Sequence, residues 1–397
     1  MIVRLKKHII TTLILVFSTF LNNGFQLYAQ DHSGEHPEEV QSGQELHAKN
    51  DNLHADEHTA HEGEESFNAT EVIMEHIKDS HDWHILTTKQ GKHVSVPLPV
   101  ILYSKHSGLN VFLSNKLAHG HNFKGFELGH GTIELQNKKG ELVEKSLEGK
   151  IVELDESGQL VDAGLPLDFS ITKNVFMMLL ATLILLWVFL GLARSYKKSG
   201  VGAPKGMQGF LEPIVEFIEE DVARPNIGEM NYARFMPYLL TVFFFILINN
   251  LMGLVPFFPF GANVTGNIAV TMVLAVFTLL ITNFNGNKGY WRHIFAPPGV
   301  PLWLLPIMIP VELLGIITKP FALMIRLFAN ITAGHIIVLS LVSLIFIFKS
   351  VFMSVPSMVM VIFMDMIELL VAFLQAYIFT LLSALFIGLA MPEHHHD

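Results

Sequence analysis

The sequence predicts a mainly α-helical membrane protein with five transmembrane crossings, preceded by a small β-rich exported domain. Three observations carry this expectation. Of 397 residues, 51% are hydrophobic and only 16% are charged, a balance too apolar for an ordinary soluble domain. The charge is segregated: most acidic residues and most histidines precede residue 160, so the formal net charge of −10 describes the head of the chain and gives no sign of nucleic-acid binding. The second half is a succession of uncharged runs, several of which reach the roughly 20 residues that a span requires. Cysteine is absent, which excludes disulfides, thiolate metal sites and cysteine nucleophiles.

Residues 1–29 have the layout of a secretory signal peptide: Arg4, Lys6 and Lys7, an apolar run from Ile9 to Phe20, then LYA ending at Ala29. That run is short for a span. Residues 30–67 are rich in His, Glu and Asp with almost nothing apolar to bury, so a disordered, solvated tether is expected. Within 68–90, Val72, Ile73, His76, Ile77 and His84 recur at roughly helical spacing, which predicts a short amphipathic helix. From 91 to 165 the pattern changes to short alternating runs such as HVSVPLPVILY, GLNVFL and TIELQ, with glycine between them, and a small β-rich domain is expected there.

The membrane part extends over 170–393, with spans predicted at about 174–194, 235–258, 264–284, 299–348 and 356–391. RSYKK follows the first span and NGNKGYWRH the third, so both of those ends are expected on the cytoplasmic side. An odd number of crossings then puts the mature N-terminus outside and the C-terminus inside. Residues 207–223 place Phe210, Leu211, Ile214, Phe217 and Ile218 on one face and Glu216, Glu219 and Glu220 elsewhere, the pattern of a helix lying at the cytoplasmic surface.

The two last segments hold ionisable residues at bilayer depth: Glu312, Lys319, Arg326, His335, Asp365 and Glu368. Each costs at least about 2.5 kcal/mol to insert and should face protein or water. On a helix turning about 100° per residue, Glu312, Lys319 and Arg326 are successive sevens and form one slowly drifting line. Asn330, four beyond Arg326, shares its face, whereas His335 lies on the opposite one. Glu368 and Gln375 are again seven apart and share a face. The guanidinium cannot titrate at accessible pH, but an imidazole and a buried carboxylate can exchange protons near neutrality. The pattern is therefore that of a proton path beside a fixed cation. A buried ion pair of Arg326 with Asp365 or Glu368 would be the structural alternative, and a poor stabiliser compared with apolar packing. Lys319 is expected to snorkel to the interface, and Pro320 to loosen its helix.

The stretch KPFALMIRLFANITAGH, residues 319–335, closely resembles the arginine-bearing helix of subunit a of the F-type ATP synthase. FFFILINNLMGLVP (243–256), TGNIAVTMVLA (265–275), Glu312 to Lys319 and ELLVAFLQAYIFTLLSALFIGLA (368–390) are similar to that family in order and spacing, as are residues 68–86. The resemblance implies two long last helices tilted around a rotor ring. Arg326 would be the rotor-facing gate, His335 and Glu368 the proton path, and Asn250, Asn330, Gln375 and Glu312 the channel lining. Some members carry the acid on the first long helix and the histidine on the second; here the order is reversed. Where some relatives carry an aspartate after NLM, this chain has Gly253.

The resemblance further implies a multi-pass protein of the bacterial inner membrane, partnered by the c-subunit ring, the b-subunit peripheral stalk and the rest of the complex. Protons would be the cargo, with no cofactor, metal or nucleic acid. No GxxxxGK[ST] occurs, so nucleotide chemistry would belong to other subunits. The alternative reading is a secondary cation/proton transporter with Glu312, Arg326 and Glu368 as its site, although the internal repeats common in transporters are not evident. A metal-binding exported module on an anchor is a third reading, for which five spans would be excessive.

Overall fold

A computed structural model describes residues 69–87, 93–118, 121–129, 131–136, 142–147, 149–155, 161, 165–199, 206–255, 258–297, 299–348 and 351–391. The signal peptide expected at 1–29 and the tether expected at 30–67 lie outside the described residues.

Helix α1 (Ala69–Ile77) opens the described chain. The helix expected over 68–90 stops at Ile77, because Asp82–Thr87 is a strand, β1, paired antiparallel with β2 (His93–Pro97). The apolar residues that suggested a continuous helix therefore divide between two elements with different periods. Strand β3 (Pro99–Ser104) pairs with β4 (Gly108–Leu113) and, on its other edge, with a short strand β9 (Leu167–Asp168). Two further antiparallel pairs are β5 (Phe126–Leu128) with β8 (Ile151–Glu153), and β6 (Thr132–Gln136) with β7 (Leu142–Ser146). Val100, Leu102, Leu117, Phe126 and Ile151 form a small core between the β3 sheet and the β5–β8 pair. Trp83 belongs instead to the larger core: its ring meets Phe176 edge-on at 5.8 Å and Phe258 at 5.6 Å.

The helical part begins with α2 (Lys173–Ser199). Helix α3 (Met207–Phe217) runs into a π-helical turn (Ile218–Ala223) and the short α4 (Arg224–Ile227). Of the apolar face, Phe210 is exposed and Leu211 and Ile218 are buried, as are Val222 and Ala223, and the π turn packs on α5 and α9. Arg224 donates to Glu219 at 2.9 Å and binds the turn together. Helix α5 (Tyr232–Gly253) is the central element, with α6 (Ile268–Phe284), α7 (Lys288–Phe295), α8 (Leu305–Phe348) and α9 (Val351–Ala390) following. A backbone that meets lipid must satisfy its own hydrogen bonds, so long uninterrupted helices are the available form.

Several ends differ from the sequence expectation, each for a local reason. The side chain of Asn267 accepts from Ala269 N and starts α6 at Ile268 rather than 264. Asn287 caps α7 in the same way through Tyr290 N, and α6 and α7 meet at 103°. Pro301 is extended, and after one 3₁₀ turn α8 starts at Leu305 rather than 299. Helix α9 starts at Val351 and carries Pro356 inside it, close enough to the end that few backbone bonds are lost.

Among the described residues, four helices are long and apolar enough to cross a membrane, or five if α6 with α7 forms one bent span. Burial separates them sharply. In the most apolar window of α5, 83% of residues are buried, against 6% in α8 and 11% in α9. Helix α5 is thus enclosed by protein, and the two longest helices offer open apolar faces to lipid or a partner. Loss of a ridge contact elsewhere is tightly constrained: at Gly388 of α9 any Cβ would run into the backbone carbonyl of Asn226 in α4.

Candidate functional site

The site is built where α5, α8 and α9 meet. Helix α8 turns Leu323, Met324 and Leu327 into the core, and their neighbours Ala322, Arg326 and Ala329 onto its open side. Arg326 is exposed there. Among the described residues no carboxylate pairs with it, so the ion pair with Asp365 or Glu368 considered from the sequence is not formed. Asp365 is also exposed.

His335, nine residues on, faces inward. Its Nδ1 stands 4.0 Å from Oε2 of Glu368 on α9, and both side chains are largely covered. The gap is too long for a direct hydrogen bond and suits small movement or a bridging water. Oε1 of Glu368 is buried without a hydrogen-bond partner. It rests against Gly334, where a Cβ would collide with it. A Cβ at Gly253 of α5 would lie 3.7 Å from His335 Nε2. The position where some relatives carry an aspartate therefore adjoins the imidazole, and here it provides room instead.

Further polar contacts join the same helices. Asn330 Nδ2 donates to Gln375 Oε1 at 2.8 Å, linking α8 to α9. Asn250 Nδ2 donates to the carbonyl of Ala372 at 3.2 Å, and Thr265 Oγ1 donates to Asn250 Oδ1 at 2.6 Å. Thus His335 pairs with Glu368 and Asn330 with Gln375, and Asn250 reaches the backbone of α9 three residues before Gln375. Glu312 joins neither pair: it sits 14 residues before Arg326, about 21 Å along a helix rising 1.5 Å per residue.

On the far side of Arg326, a small cavity is lined by Thr278, Thr282, Asn283, Tyr290, Lys319 and Phe386. Lys319 is exposed, and its Nζ lies 5.8 Å from the centroid of the Phe386 ring, so the ammonium rests on an aromatic face. Sequence reasoning missed Thr265, Gly253 and Gly334 as structural parts of the site. Glycine inside a long apolar helix was the available signal, because it marks close approach of a neighbour.

Long apolar helices carrying polar and ionisable side chains on their inner faces define a multi-pass membrane protein. A family model described as ATP synthase A chain matches residues 175–388. The chain belongs to that family. A second model, described only as a domain of unknown function (DUF8433), matches residues 72–169. Among curated relatives, the chain is 50% identical over 235 residues to ATP synthase subunit a of Chloroherpeton thalassium, covering 58% of this chain and 69% of that protein. It is 47% identical over 296 residues to ATP synthase subunit a of Chlorobium phaeobacteroides strain BS1, covering 70% and 83%. The ATP synthase subunit a of an Anaeromyxobacter species is 48% identical over 257 residues, covering 63% and 61%.

Proposed function

We propose that this chain is the stator subunit of an F-type ATP synthase membrane sector, guiding protons through two half-channels and onto the carboxylates of a rotating c-subunit ring. The observation that carries this reading is the back-to-back arrangement on α8: an exposed Arg326 without a carboxylate partner among the described residues, and behind it the covered pair His335 and Glu368. Family membership disfavours the secondary-transporter alternative.

Strand β1, the start of α2 and the loop between α5 and α6 share one side, through the contacts of Trp83 with Phe176 and Phe258. Arg194 and Lys197 lie in the last turns of α2, and Lys288 and Arg292 in α7, which follows α6. The positive-inside rule supports a cytoplasmic location for these basic helix ends. The β-rich head is then exported and the α3 segment lies at the cytoplasmic face, which agrees with a cleaved signal peptide at 1–29 and a bacterial inner membrane.

In this reading, protons come from the exported side past Asn250, His335, Glu368 and Gln375 and neutralise a ring carboxylate. A neutral acid crosses lipid at little cost, so the ring turns. The site then meets Arg326, whose permanent charge favours the anion, and the proton leaves toward the cavity beside Lys319 and Tyr290. The same charge repels protons that would pass directly between the two half-channels. Each proton is worth about 2.3 kcal/mol per 100 mV of membrane potential. The open faces of α8 and α9 are suited to the ring, and the b-subunit stalk would hold the stator still. Glu312, distant from the pair, would belong to the cytoplasmic half-channel.

The test is ATP-driven acidification of inverted membrane vesicles by complexes carrying Glu368→Gln or His335→Ala. Assembled complexes that hydrolyse ATP but lose acidification support the reading. Undiminished acidification by both would refute the assignment of the pair to the proton path.

A further inference from the structure

Two threonines one turn apart on α6 share a face but not a fate. Thr278 Oγ1 meets Tyr238 Oη of α5 at 2.7 Å and Ser383 Oγ of α9 at 3.2 Å, and all three side chains are buried. Each hydroxyl proton of this set has an acceptor: Tyr238 donates to Thr278, Thr278 to the carbonyl of Leu274 at 3.2 Å, and Ser383 to the carbonyl of Phe379 at 2.8 Å. The set is thus satisfied and clamps α6 between α5 and α9. Thr282 differs. Thr271, Thr278 and Thr380 all donate to a carbonyl of the preceding turn, the usual resort of a helical threonine. Oγ1 of Thr282 is buried and, among the described residues, has no hydrogen-bond partner. A buried hydroxyl left so is costly, and a water is its common remedy. Thr278 and Thr282 both line the cavity that Lys319 and Tyr290 also border, and that cavity is large enough for a water molecule. Tyr290 spends its own hydroxyl proton on Asn283 Oδ1 at 2.9 Å.

We infer that Thr282 is a positioning residue of the cytoplasmic proton exit: its hydroxyl anchors a water in this cavity, and that water carries the proton released from the ring. The inference rests on the reading of the cavity as that exit. The anchored water takes up one proton on its oxygen and gives up another to cytoplasmic water, while the threonine holds it by a hydrogen bond and stays un-ionised. Only O–H bonds form and break, and no other reactant is needed. The clamp of Tyr238, Thr278 and Ser383 gives the anchor a fixed place one turn away. Lys319, bordering the same cavity, repels an excess proton, so the water passes it on rather than keeping it.

The whole ATP synthase, reconstituted in liposomes, tests this by ATP-driven acidification with Thr282→Val, Thr282→Ser and Thr282→Cys. Thr282→Val keeps the shape and removes the hydroxyl, and should slow proton flux about threefold to tenfold, the worth of one hydrogen bond. Thr282→Ser keeps the hydroxyl and should retain near-normal flux, a rescue that a packing role would not give. The chain has no cysteine of its own, so silver ion added at the cytoplasmic face should block flux in Thr282→Cys and spare the parent complex. Full flux in the assembled Thr282→Val complex would overturn the proposal, as would equal losses in the valine and serine variants. If Thr282→Val fails to assemble, the cysteine variant decides: flux unaffected by silver would overturn the proposal. Glu368→Gln measured in parallel keeps the two questions apart. Normal acidification there would remove the proton path itself, whereas a defect there with full flux in Thr282→Val would remove only the role of Thr282.

Discussion

His335 and Glu368 face each other across α8 and α9 with 4.0 Å between Nδ1 and Oε2, and they can do so because Gly334 leaves the carboxylate a place to lie. A Cβ at 334 would occupy the position of Glu368 Oε1. The obstructing atom is the end of a flexible side chain, so Gly334→Ala should cost only about 1 kcal/mol of stability. Displacing the carboxylate by an ångström should nevertheless lower proton flux roughly tenfold to a hundredfold. Adding Glu368→Asp, which withdraws the carboxylate by one methylene, should restore part of that flux. Passive proton conduction through the membrane sector, with subunit levels checked by blotting, measures both effects.

Gly388 provides the contrasting case. Its obstructing neighbour is the backbone carbonyl of Asn226, which cannot rotate away. Gly388→Ala should therefore separate α9 from α4 and cost about 1–3 kcal/mol. The expected result is a lowered amount of assembled complex in membranes, with normal turnover in whatever complex remains.

The bond between Asn330 and Gln375 ties the arginine helix to the carboxylate helix. Interhelical hydrogen bonds in membranes contribute about 0.6–2 kcal/mol, so Gln375→Leu should loosen the pair by that amount. A double-mutant cycle with Asn330→Leu, read from denaturation of the complex in detergent, should show coupling of the same size. Additive losses would mean that the bond does not contribute.

Outside the membrane, the clasp of His81 with Asp168 makes a pH prediction. Burial opposes the charge of His81, but its hydrogen bond to Asp168, the charge of Asp168 and the more distant Asp79 and Asp82 together raise its pKa. Burial likewise opposes the charge of Asp168, yet the hydrogen bond and charge of His81 and the Ser170 donors bring its pKa below the ordinary value. A raised histidine stabilises fully below its unfolded pKa and loses that contribution as pH rises through the folded value. A lowered aspartate stabilises above its unfolded pKa and loses that contribution as pH falls through the folded value. The clasp should thus be tightest between about pH 4 and pH 6.5 and weaken on either side. Asp79, whose burial raises its pKa despite the donors from Asn174 and Thr172, adds an opposing slope just above pH 4. Hydrogen exchange of residues 76–87 in the intact complex should show this optimum, and Asp168→Asn should abolish its high-pH limb.

Much of the site was legible because it is written at helical spacing. Arg326 and His335 nine apart, and Glu368 and Gln375 seven apart, fall on the faces that the geometry of a single helix dictates. The exposed guanidinium and the covered imidazole agree with that placement. What could not be read depends on neighbours remote in sequence. Thr265 meets Asn250 only because the loop after α5 folds back, and Gly253 and Gly334 matter only because His335 and Glu368 press against them. The strand at Asp82–Thr87 was hidden for a related reason: its apolar residues fit a helical period locally, and pairing with β2 decides the outcome. Glu312 shows the reverse limit, since a shared face with Arg326 did not bring it to the cluster.

The central claim is that Arg326 is the fixed charge past which the rotor must move. Arg326→Ala and Arg326→Lys complexes in inverted vesicles, assayed for respiration-driven ATP synthesis and ATP-driven acidification with assembly checked in parallel, test it most directly. Assembled complexes that have lost both coupled activities are the predicted result, the lysine variant included, because a compact ammonium does not reproduce a planar, permanently charged guanidinium. Near-normal coupling in either variant would contradict the account and leave Arg326 a cation with only a structural role.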